Sequence, residues 1–247
     1  NPVQTGYAAI SDDWYGITPG TDGLLIMSLI RELMRSGNID VDYLRRYTNA
    51  PWLVIRNPGA ADDGLFLRDA DGEPQVIDRL TGAVISHKTK NVSVAMHGEV
   101  PLGSGGVATP VFMLMTETYM VDAYSPDTVA STVGISAARI RQFAADLADA
   151  AFAKEVVINQ PWTDWKGEKH ETMVGRPVSM HSMRGISAHS NGFQTCRALH
   201  VLQLMLGSIE VPGGWRFKPP YPKPPEAHPK PAGKPDQVQA GKPLTGA

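Results

Sequence analysis

Apolar residues recur at helical spacing in the first part of the chain. They occupy most faces of one run and are Leu24, Leu25, Met27, Leu29, Ile30, Leu33 and Met34. This pattern predicts a helix that is largely buried. Thr21 or Asp22 stands where a side-chain oxygen can accept a hydrogen bond from the first turn, and Gly37 ends the run.

Cap residues and glycine stops predict four further helices. The predicted spans are 41–47 after Asp40, 111–121 after Thr109, 126–133 after Ser125, and a helix that starts at 137 after Ser136. Pro110 and Pro126 suit the first helical position, where an N–H group has no partner inside the helix. Gly134 separates the last two helices.

Short β-branched and aromatic runs predict strands in the middle of the chain. Residues 52–55 form one such run, and residues 65–68 and 75–78 flank a turn at 69–72 as a hairpin would. Strands are also expected around 84–85 and 92–96. We expect 51–108 to be an irregular, β-rich excursion on the surface with little core.

The second half of the chain alternates helix, strand, polar loop and helix. A β-branched run at 155–159 predicts a compact buried strand, and a long polar loop, 159–189, separates it from an amphipathic helix at 191–206 that Gly207 ends. We therefore predict an α/β fold with a parallel, Rossmann-like sheet, with ligands beyond the carboxyl end of the strand. The two cofactor-binding parts of this fold would be 1–50 and 109–217.

Composition narrows the class of protein. The chain has 247 residues, a formal net charge of −2, 42% hydrophobic residues and 19% charged residues. These values describe a globular protein with a substantial core and argue against a nucleic-acid-binding surface. The single cysteine, Cys196, excludes an internal disulfide, an iron–sulfur cluster held by this chain and a thiolate zinc site. No apolar run is long enough to cross a bilayer.

The two ends of the sequence suggest an internal piece of a longer protein. The first residue is Asn1 rather than methionine, and residues 218–247 are rich in proline and lysine. We expect that last stretch to be an extended tail, because proline-rich segments favour extended backbone.

A polar, glycine-containing loop opens the predicted helix at 191–206. Gly185, Ser187, His189 and Asn191 lie in it. Such a loop presents unpaired backbone N–H groups, and the helix dipole adds positive potential, so the place suits an anionic ligand such as a phosphate. The pattern by itself also fits a buried helix that follows an ordinary loop.

The turn at 18–22 is a second candidate. Asp22 is either a cap of its helix or a carboxylate that accepts hydrogen bonds from two adjacent donors, such as guanine N1 and N2. The polar residues 1–5 would follow a strand that precedes this chain. They could meet a nucleotide or form an ordinary connection.

Other chemistries find little support in the sequence. The histidines lack the i, i+4 spacing of a helical zinc site, and Cys196 fits a packed core thiol better than a nucleophile. No Ser-His-Asp arrangement can be identified. Gly72, Gly82 and 103–106 lack the strand–glycine–helix context of a dinucleotide fingerprint. We assign no catalytic residue and no metal ligand.

Four segments together resemble the dimethyl sulfoxide reductase family of bis-molybdopterin guanine dinucleotide oxidoreductases. They are Asn1-Pro2-Val3-Gln4-Thr5, Trp14-Tyr15-Gly16-Ile17-Thr18-Pro19-Gly20-Thr21-Asp22-Gly23, Tyr124-Ser125-Pro126-Asp127 through Gly134-Ile135-Ser136 to Arg141, and His189-Ser190-Asn191-Gly192 with Gln194-Thr195-Cys196-Arg197-Ala198 and Pro212-Gly213-Gly214. The resemblance covers most of the chain except the middle excursion. Residues 191–206 and 217–224 are most similar to the branch of sulfite dehydrogenases and thiosulfate or polysulfide reductases.

The resemblance implies part of the catalytic subunit of a molybdenum or tungsten enzyme that carries out two-electron redox chemistry on a sulfur oxyanion. Asp22 would bind the guanine of the bis-molybdopterin guanine dinucleotide cofactor. The cofactor-binding residues expected from these segments are Asn1, Thr5, Thr18, Gly20, Asp22, Gly185, Ser187, His189, Asn191, Gly192, Gln194 and Thr195. The parent protein would also hold a 4Fe–4S centre. This chain lacks both the cysteines for that centre and the segment that supplies the metal's protein ligand, so it would be inactive alone.

The resemblance also implies partners. They are the rest of the catalytic subunit, an iron–sulfur subunit for electron transfer and a membrane-anchor subunit, with no nucleic acid and no membrane span in this chain. We expect a cytoplasmic enzyme that reaches the membrane through these partners, with a periplasmic location as the alternative.

Two other functions stay open. One is a generic nucleotide-binding α/β domain for NAD or a nucleoside phosphate, and the other is a non-catalytic interaction module whose tail at 218–247 binds a partner. The cofactor hypothesis requires the turns around Asp22 and Asn191 to converge in space.

Overall fold

The computed structural model describes residues 3–164, 167–182 and 184–215. Six helices lie in these ranges: α1 Asp22–Ser36, α2 Val41–Tyr47, α3 Val111–Tyr119, α4 Pro126–Val133, α5 Ala137–Ala148 and α6 Gly192–Met205. Shorter helical turns are Gly6–Ala9, Asp122–Tyr124, Asp149–Ala153 and Arg184–Ser187. The predicted tail at 218–247 and the segment at 217–224 lie outside the described residues.

Three helices begin as the cap pattern predicts. The Asp40 carboxylate accepts from Tyr43 N at 2.9 Å, and the Ser125 and Ser136 hydroxyls each accept from a backbone N–H at 3.3 Å. Gly37 and Gly134 end α1 and α4 with φ of 73° and 83°, which a residue with a side chain rarely adopts. The predicted boundaries of these helices are confirmed.

Two predicted helix starts are wrong in detail. Thr21 is the N-cap of α1, yet its side chain accepts no cap hydrogen bond. Its hydroxyl instead donates to Thr18 O at 2.7 Å, and Asp22 is the first helical residue without capping the helix. Pro110 ends a strand and precedes α3, whereas we expected it at the first helical position.

The main core lies between α1, α4, α5 and α6. The apolar positions of these helices meet there, and the residues with at most 1% exposure include Ile30, Leu33, Val133, Ile140, Leu202 and Met205. Each such side chain contributes about 1.5–3 kcal/mol on burial. The predicted burial of the first helix is therefore confirmed, and α6 packs against that helix.

The middle of the chain forms small antiparallel sheets. Strands β1 Leu53–Arg56, β4 Val100–Pro101 and β5 Val107–Pro110 pair in the order β1-β5-β4, with Val54 opposite Thr109. Strand β2 Gln75–Ile77 pairs with β3 Val84–Ser86. Leu53, Ile77, Ala95 and Ala108 form a small separate core.

Two strands predicted in this region are only partly formed. Residues 65–68 make the antiparallel bridges Val54–Phe66 and Arg68–Pro74, and Gln75 N donates to Leu67 O at 2.9 Å, so the predicted hairpin about 69–72 is closed without a continuous ladder. Residues 92–96 make the bridge Asp78–Val94. The turn at Gly72 has the expected positive φ of 80°. The ladder of β2, however, goes to β3, because β-strand runs this short depend on which partner packs beside them.

The predicted strand after α5 is present but is not buried. Strand β6 is Val156–Ile158, and its residues are 45%, 52% and 37% exposed. It pairs antiparallel with β9 Met173–Gly175, while β7 Trp162–Thr163 pairs with β8 Lys169–His170. The predicted loop at 159–189 thus contains three of these strands.

The fold is mixed α/β with small antiparallel sheets. Every pairing between strands in the described ranges is antiparallel, and the parallel, Rossmann-like sheet is not formed there. A parallel pair needs a second strand brought alongside by a crossover connection. No helix in the described ranges combines the length and hydrophobicity that crossing a membrane requires.

Candidate functional site

Helices α1 and α6 run in the same direction and begin side by side. A Cβ atom added at Gly23 in the first turn of α1 would lie 2.8 Å from Thr195 Oγ1 and 3.8 Å from Asn191 Nδ2. Beyond the other ends of the two helices, Asp40 N donates to Met205 O at 2.7 Å. Because the helices are parallel, the positive ends of both dipoles lie at the same place.

The loops before these helices meet as well. A Cβ atom at Gly20 would lie 3.8 Å from His189 Nδ1, so the 18–22 turn contacts the loop that leads into α6. Gly192 packs so closely on the turn before it that an added Cβ would lie 2.1 Å from Ser187 O. Thr18 is held by its backbone N–H, which donates to Val133 O at 2.8 Å. The structure therefore brings the turns around Asp22 and Asn191 together.

Both helices begin without a side-chain cap. Thr21 and Asn191 are the N-cap residues of α1 and α6, and neither side chain accepts a hydrogen bond from the helix. In contrast, α2, α4 and α5 are capped by Asp or Ser. The first N–H groups of a helix have no partner within it. In α6 the Gly192 N–H donates to His189 O at 2.9 Å, so the N–H groups that follow it, together with the first ones of α1, are those left for an anion in the space in front of the helices.

Two polar side chains at this place lack partners. Within the described ranges, the half-buried Asp22 carboxylate makes no hydrogen bond and no ion pair. The Thr195 residue is only 4% exposed, and its hydroxyl has no hydrogen-bond partner among the described residues. Both groups are therefore available to a ligand that enters the space in front of the two helices.

A cavity of about 780 Å³ extends from the helix starts between α1, α3 and α6. Its walls are mainly apolar, with Leu24, Met27, Leu114, Met115, Val201 and Leu204. Its polar lining includes Asn191, Gln194, Thr195, Arg197, Tyr119 and Tyr124. A concave, mostly apolar space with a few polar groups is typical of a site for a small molecule or cofactor.

The remaining predicted site residues lie as follows. Gly185 and Ser187 are on the exposed helical turn Arg184–Ser187, where the Ser187 hydroxyl donates to Arg184 O at 2.9 Å. Thr5 is exposed and accepts from Ala8 N at 2.9 Å, and within the described ranges it makes no hydrogen bond to the other predicted residues. Asn1 lies outside the described residues.

Sequence reasoning missed Arg197 and Tyr119 as neighbours of the site. Arg197 lies on the second turn of α6 and donates to Gln194 Oε1 at 3.5 Å. Partial burial raises the pKa of Tyr119, and the positive charge of Arg197 opposes that rise. Arg197 belongs to one of the four segments that resemble the family. The sequence does not indicate that it approaches Tyr119 of α3, because that approach depends on how the helices pack.

A separate cluster lies on the β7–β8 hairpin. Asp164, Glu168 and His170 place one potential ligand atom each within 4.8 Å of the others. Arg46 also reaches this cluster, with Nε 3.7 Å from Glu168 Oε2 and Nη1 3.3 Å from His170 Nδ1. The Asp164 carboxylate accepts from Glu168 N at 2.9 Å and so closes the hairpin turn. These contacts give the cluster a structural role, and we assign it no metal.

No protein-family model matches the chain. The whole chain is 42% identical to a polypeptide of the sulfite dehydrogenase of Allochromatium vinosum, of which it covers 26%. It is 26% identical to the major subunit of the nitrate-inducible formate dehydrogenase of Escherichia coli, over 87% of the chain and 18% of that protein. It is 27% identical to the alpha subunit of the chlorate reductase of Ideonella dechloratans, over 56% of the chain and 16% of that protein.

The chain thus spans about a quarter or less of the length of these curated relatives. Their shared chemistry is that of molybdopterin-dependent oxidoreductases. Together with the sequence segments, these similarities place the chain in the dimethyl sulfoxide reductase family of molybdopterin oxidoreductases.

Proposed function

We propose that this chain holds the guanine dinucleotide end of a bis-molybdopterin guanine dinucleotide cofactor, with molybdenum or tungsten, in a larger oxidoreductase subunit. The observation that carries the proposal is the pair of parallel, uncapped helix starts with the unpaired Asp22 carboxylate beside them. Those starts offer N–H groups to anions, and the carboxylate offers an acceptor to a base. The family relationship supports the same cofactor.

The residues present fit that ligand. Asp22 would accept from N1 and N2 of guanine, because a carboxylate can accept two parallel hydrogen bonds from adjacent donors. Backbone N–H groups at the start of α6 would face the phosphates. Around them, Thr18, Gly20, Gly185, Ser187, His189, Asn191, Gly192, Gln194 and Thr195 would form the lining, together with Asn1 and Thr5 from the start of the chain. When bound, the cofactor supplies the two-electron chemistry, and this chain supplies binding and orientation.

We propose a sulfur oxyanion as the substrate of the whole protein. The supporting observation is the 42% identity over the whole chain to a sulfite dehydrogenase polypeptide. Turnover would require the remainder of the catalytic subunit, with its 4Fe–4S centre and metal ligand, and this chain alone would be inactive. Electron transfer would use an iron–sulfur partner protein together with a membrane-anchor protein, at the cytoplasmic or periplasmic face. A parallel sheet would form only with strands of that remainder placed beside β6.

The proposal is tested by Asp22→Ala in the full-length protein. We expect less guanine nucleotide and less molybdenum or tungsten per purified protein molecule, because the base loses its carboxylate partner. Asp42→Ala is the matched control, since Asp42 also lies in the first turn of a helix but its side chain is 90% exposed and, among the described residues, pairs only with Arg45. Unchanged guanine content in Asp22→Ala would contradict the assigned contact.

A further inference from the structure

Helix α3 is strongly apolar, yet none of its residues is buried. Its first five residues are Val111, Phe112, Met113, Leu114 and Met115, and each of them is half-buried. The helix packs on α1 and on strand β5 and has no comparable contact with α6. A helix with apolar residues on several faces is normally covered on several faces. One side of α3 is therefore left without a cover by the described part of this chain.

That side of α3 lines the cavity between α1, α3 and α6. The lining residues of α3 recur at the spacing of one helix face and are Val111, Leu114, Met115, Thr118 and Tyr119. A second face, on α6, lines the same cavity with Gln194, Thr195, Ala198, Val201 and Leu204. We call the space between these two helix faces the α3–α6 groove.

The chemistry of the α3–α6 groove changes along its length. Polar lining residues of α6 lie near the helix start, whereas Val201 and Leu204 line the far part. The groove follows α6 from Asn191 to Leu204, which is about 20 Å at about 1.5 Å per residue. Arg197 is the only charged residue among its lining residues. The far part therefore offers no charge to a phosphate and suits an apolar occupant that removes these side chains from water.

The shape and spacing of the walls favour a helix as that occupant. Two helices that present apolar faces across a groove can receive a third helix, whose own apolar residues at i, i+3, i+4 and i+7 fill the space between them. A groove that is open along about 20 Å accommodates about 14 residues of helix.

The coverage of the relatives indicates where such a helix would come from. The sulfite dehydrogenase polypeptide is matched by the whole chain over only 26% of its length, which leaves about three quarters of it without a counterpart here. A segment joined to the same polypeptide reaches the groove at a high effective concentration. A second copy of this chain lacks a suitable element, because Phe193 is the only strongly exposed large apolar residue on a helix within the described ranges.

We propose that the α3–α6 groove binds an amphipathic helix from the remaining part of the same catalytic subunit. The groove is then a docking surface inside the full-length protein, and the docked helix covers the exposed sides of Leu114 and Val201. The proposal rests on the chain being part of a longer polypeptide and does not depend on the contact between Asp22 and guanine.

The test is photo-cross-linking in the full-length protein. Leu114→benzoylphenylalanine and Val201→benzoylphenylalanine place a photoreactive side chain on opposite walls of the groove, and mass spectrometry identifies the peptides joined after irradiation. We expect both variants to cross-link to one common stretch of about 14 residues outside 1–247. Leu80→benzoylphenylalanine is the control, because Leu80 is 80% exposed and is not among the groove residues. It should not cross-link to that stretch.

The other outcomes overturn the proposal. They are cross-links confined to residues 1–247 or to the cofactor, cross-links to a second copy of the subunit, and cross-links from the two walls to unrelated stretches. Guanine content after Asp22→Ala tests the proposed function separately, since the cross-linked peptides are identified whether or not the cofactor contact exists.

Hydrogen exchange gives a second measurement that does not use a bulky probe. In full-length Leu114→Asp, a charge on the groove wall should release the docked helix, so the backbone amides of the cross-linked stretch should lose protection while those of α1 keep theirs. Leu80→Asp should leave the protection of that stretch unchanged. Unchanged protection of the stretch in Leu114→Asp would overturn the proposal.

Discussion

The packing of Gly192 against the turn before α6 gives the sharpest structural prediction. In Gly192→Ala the new Cβ would lie 2.1 Å from Ser187 O and 2.5 Å from Ser187 C. Carbon–oxygen contacts normally begin near about 3.3 Å, so the turn and the helix must separate by about 1 Å. Both neighbouring atoms belong to the backbone, which cannot rotate away as a flexible side chain could.

The cost follows from this geometry. Overpacking of this kind destabilises a protein by about 1–3 kcal/mol, and the better helix propensity of alanine recovers at most about 1 kcal/mol. We expect a net loss of about 1–2 kcal/mol in the free energy of unfolding, measured by urea denaturation with tryptophan fluorescence. The same separation widens the start of α6, so the guanine content of the full-length protein should also fall.

Gly37→Ala is the matched control. Gly37 has φ of 73°, and nothing lies within 4 Å of an added Cβ, so this variant carries only the strain of the left-handed backbone. That strain costs about 1–2 kcal/mol, which is similar to the loss expected for Gly192→Ala. Gly37 lies at the far end of α1, and its replacement should leave the guanine content unchanged. If Gly192→Ala keeps both its stability and its guanine content, the close contact between turn and helix does not exist.

Two further predictions concern stability. Leu202 is only 1% exposed in the core shared by α1 and α6, so Leu202→Ala should lower the free energy of unfolding by about 2–5 kcal/mol. Leu80 is 80% exposed, and Leu80→Ala should change it by less than about 0.5 kcal/mol. Equal urea midpoints for the two variants would refute the assigned core. Burial, and then the negative charge of Asp40, raises the pKa of Tyr43 to about 12. The folded state therefore keeps the neutral phenol where the unfolded state ionises, near about pH 10. The stability contributed by the buried neutral phenol is fully present below about pH 10 and is lost as pH rises toward 12. Wild type should therefore lose more unfolding free energy over this range than Tyr43→Phe. Equal losses in the two proteins would contradict the burial of this phenol.

Local features of the sequence predicted most of the helices. Asp40, Ser125 and Ser136 cap helices as expected, because a cap depends on residues three positions apart. The same rule failed at Thr21, whose hydroxyl bonds back to Thr18 O. A cap hydrogen bond to the first turn of α1 and a bond back to Thr18 O are both local options for this hydroxyl, and the sequence alone does not decide between them.

Strands were predicted less well than helices. The β-branched run at β6 is a strand, but the predicted burial was wrong because burial requires neighbours on both faces. The middle hairpin closed about its predicted turn, but the ladder of β2 is made with β3 and not with residues 65–68. The backbone hydrogen bonds of a strand are made to another segment of the chain, and the strand's own sequence does not specify which segment that is.

The sequence by itself determined the helices, their caps and glycine stops, and the segments that resemble one oxidoreductase family. Only the tertiary structure decided that α1 and α6 lie parallel with their starts together, that Asp22 and Thr195 lack partners among the described residues, and that Arg197 reaches the same cavity. The physical reason is distance along the chain. Helical periodicity and capping are set by residues within a few positions, whereas Gly23 and Thr195 meet only because the apolar faces of two distant helices pack against each other.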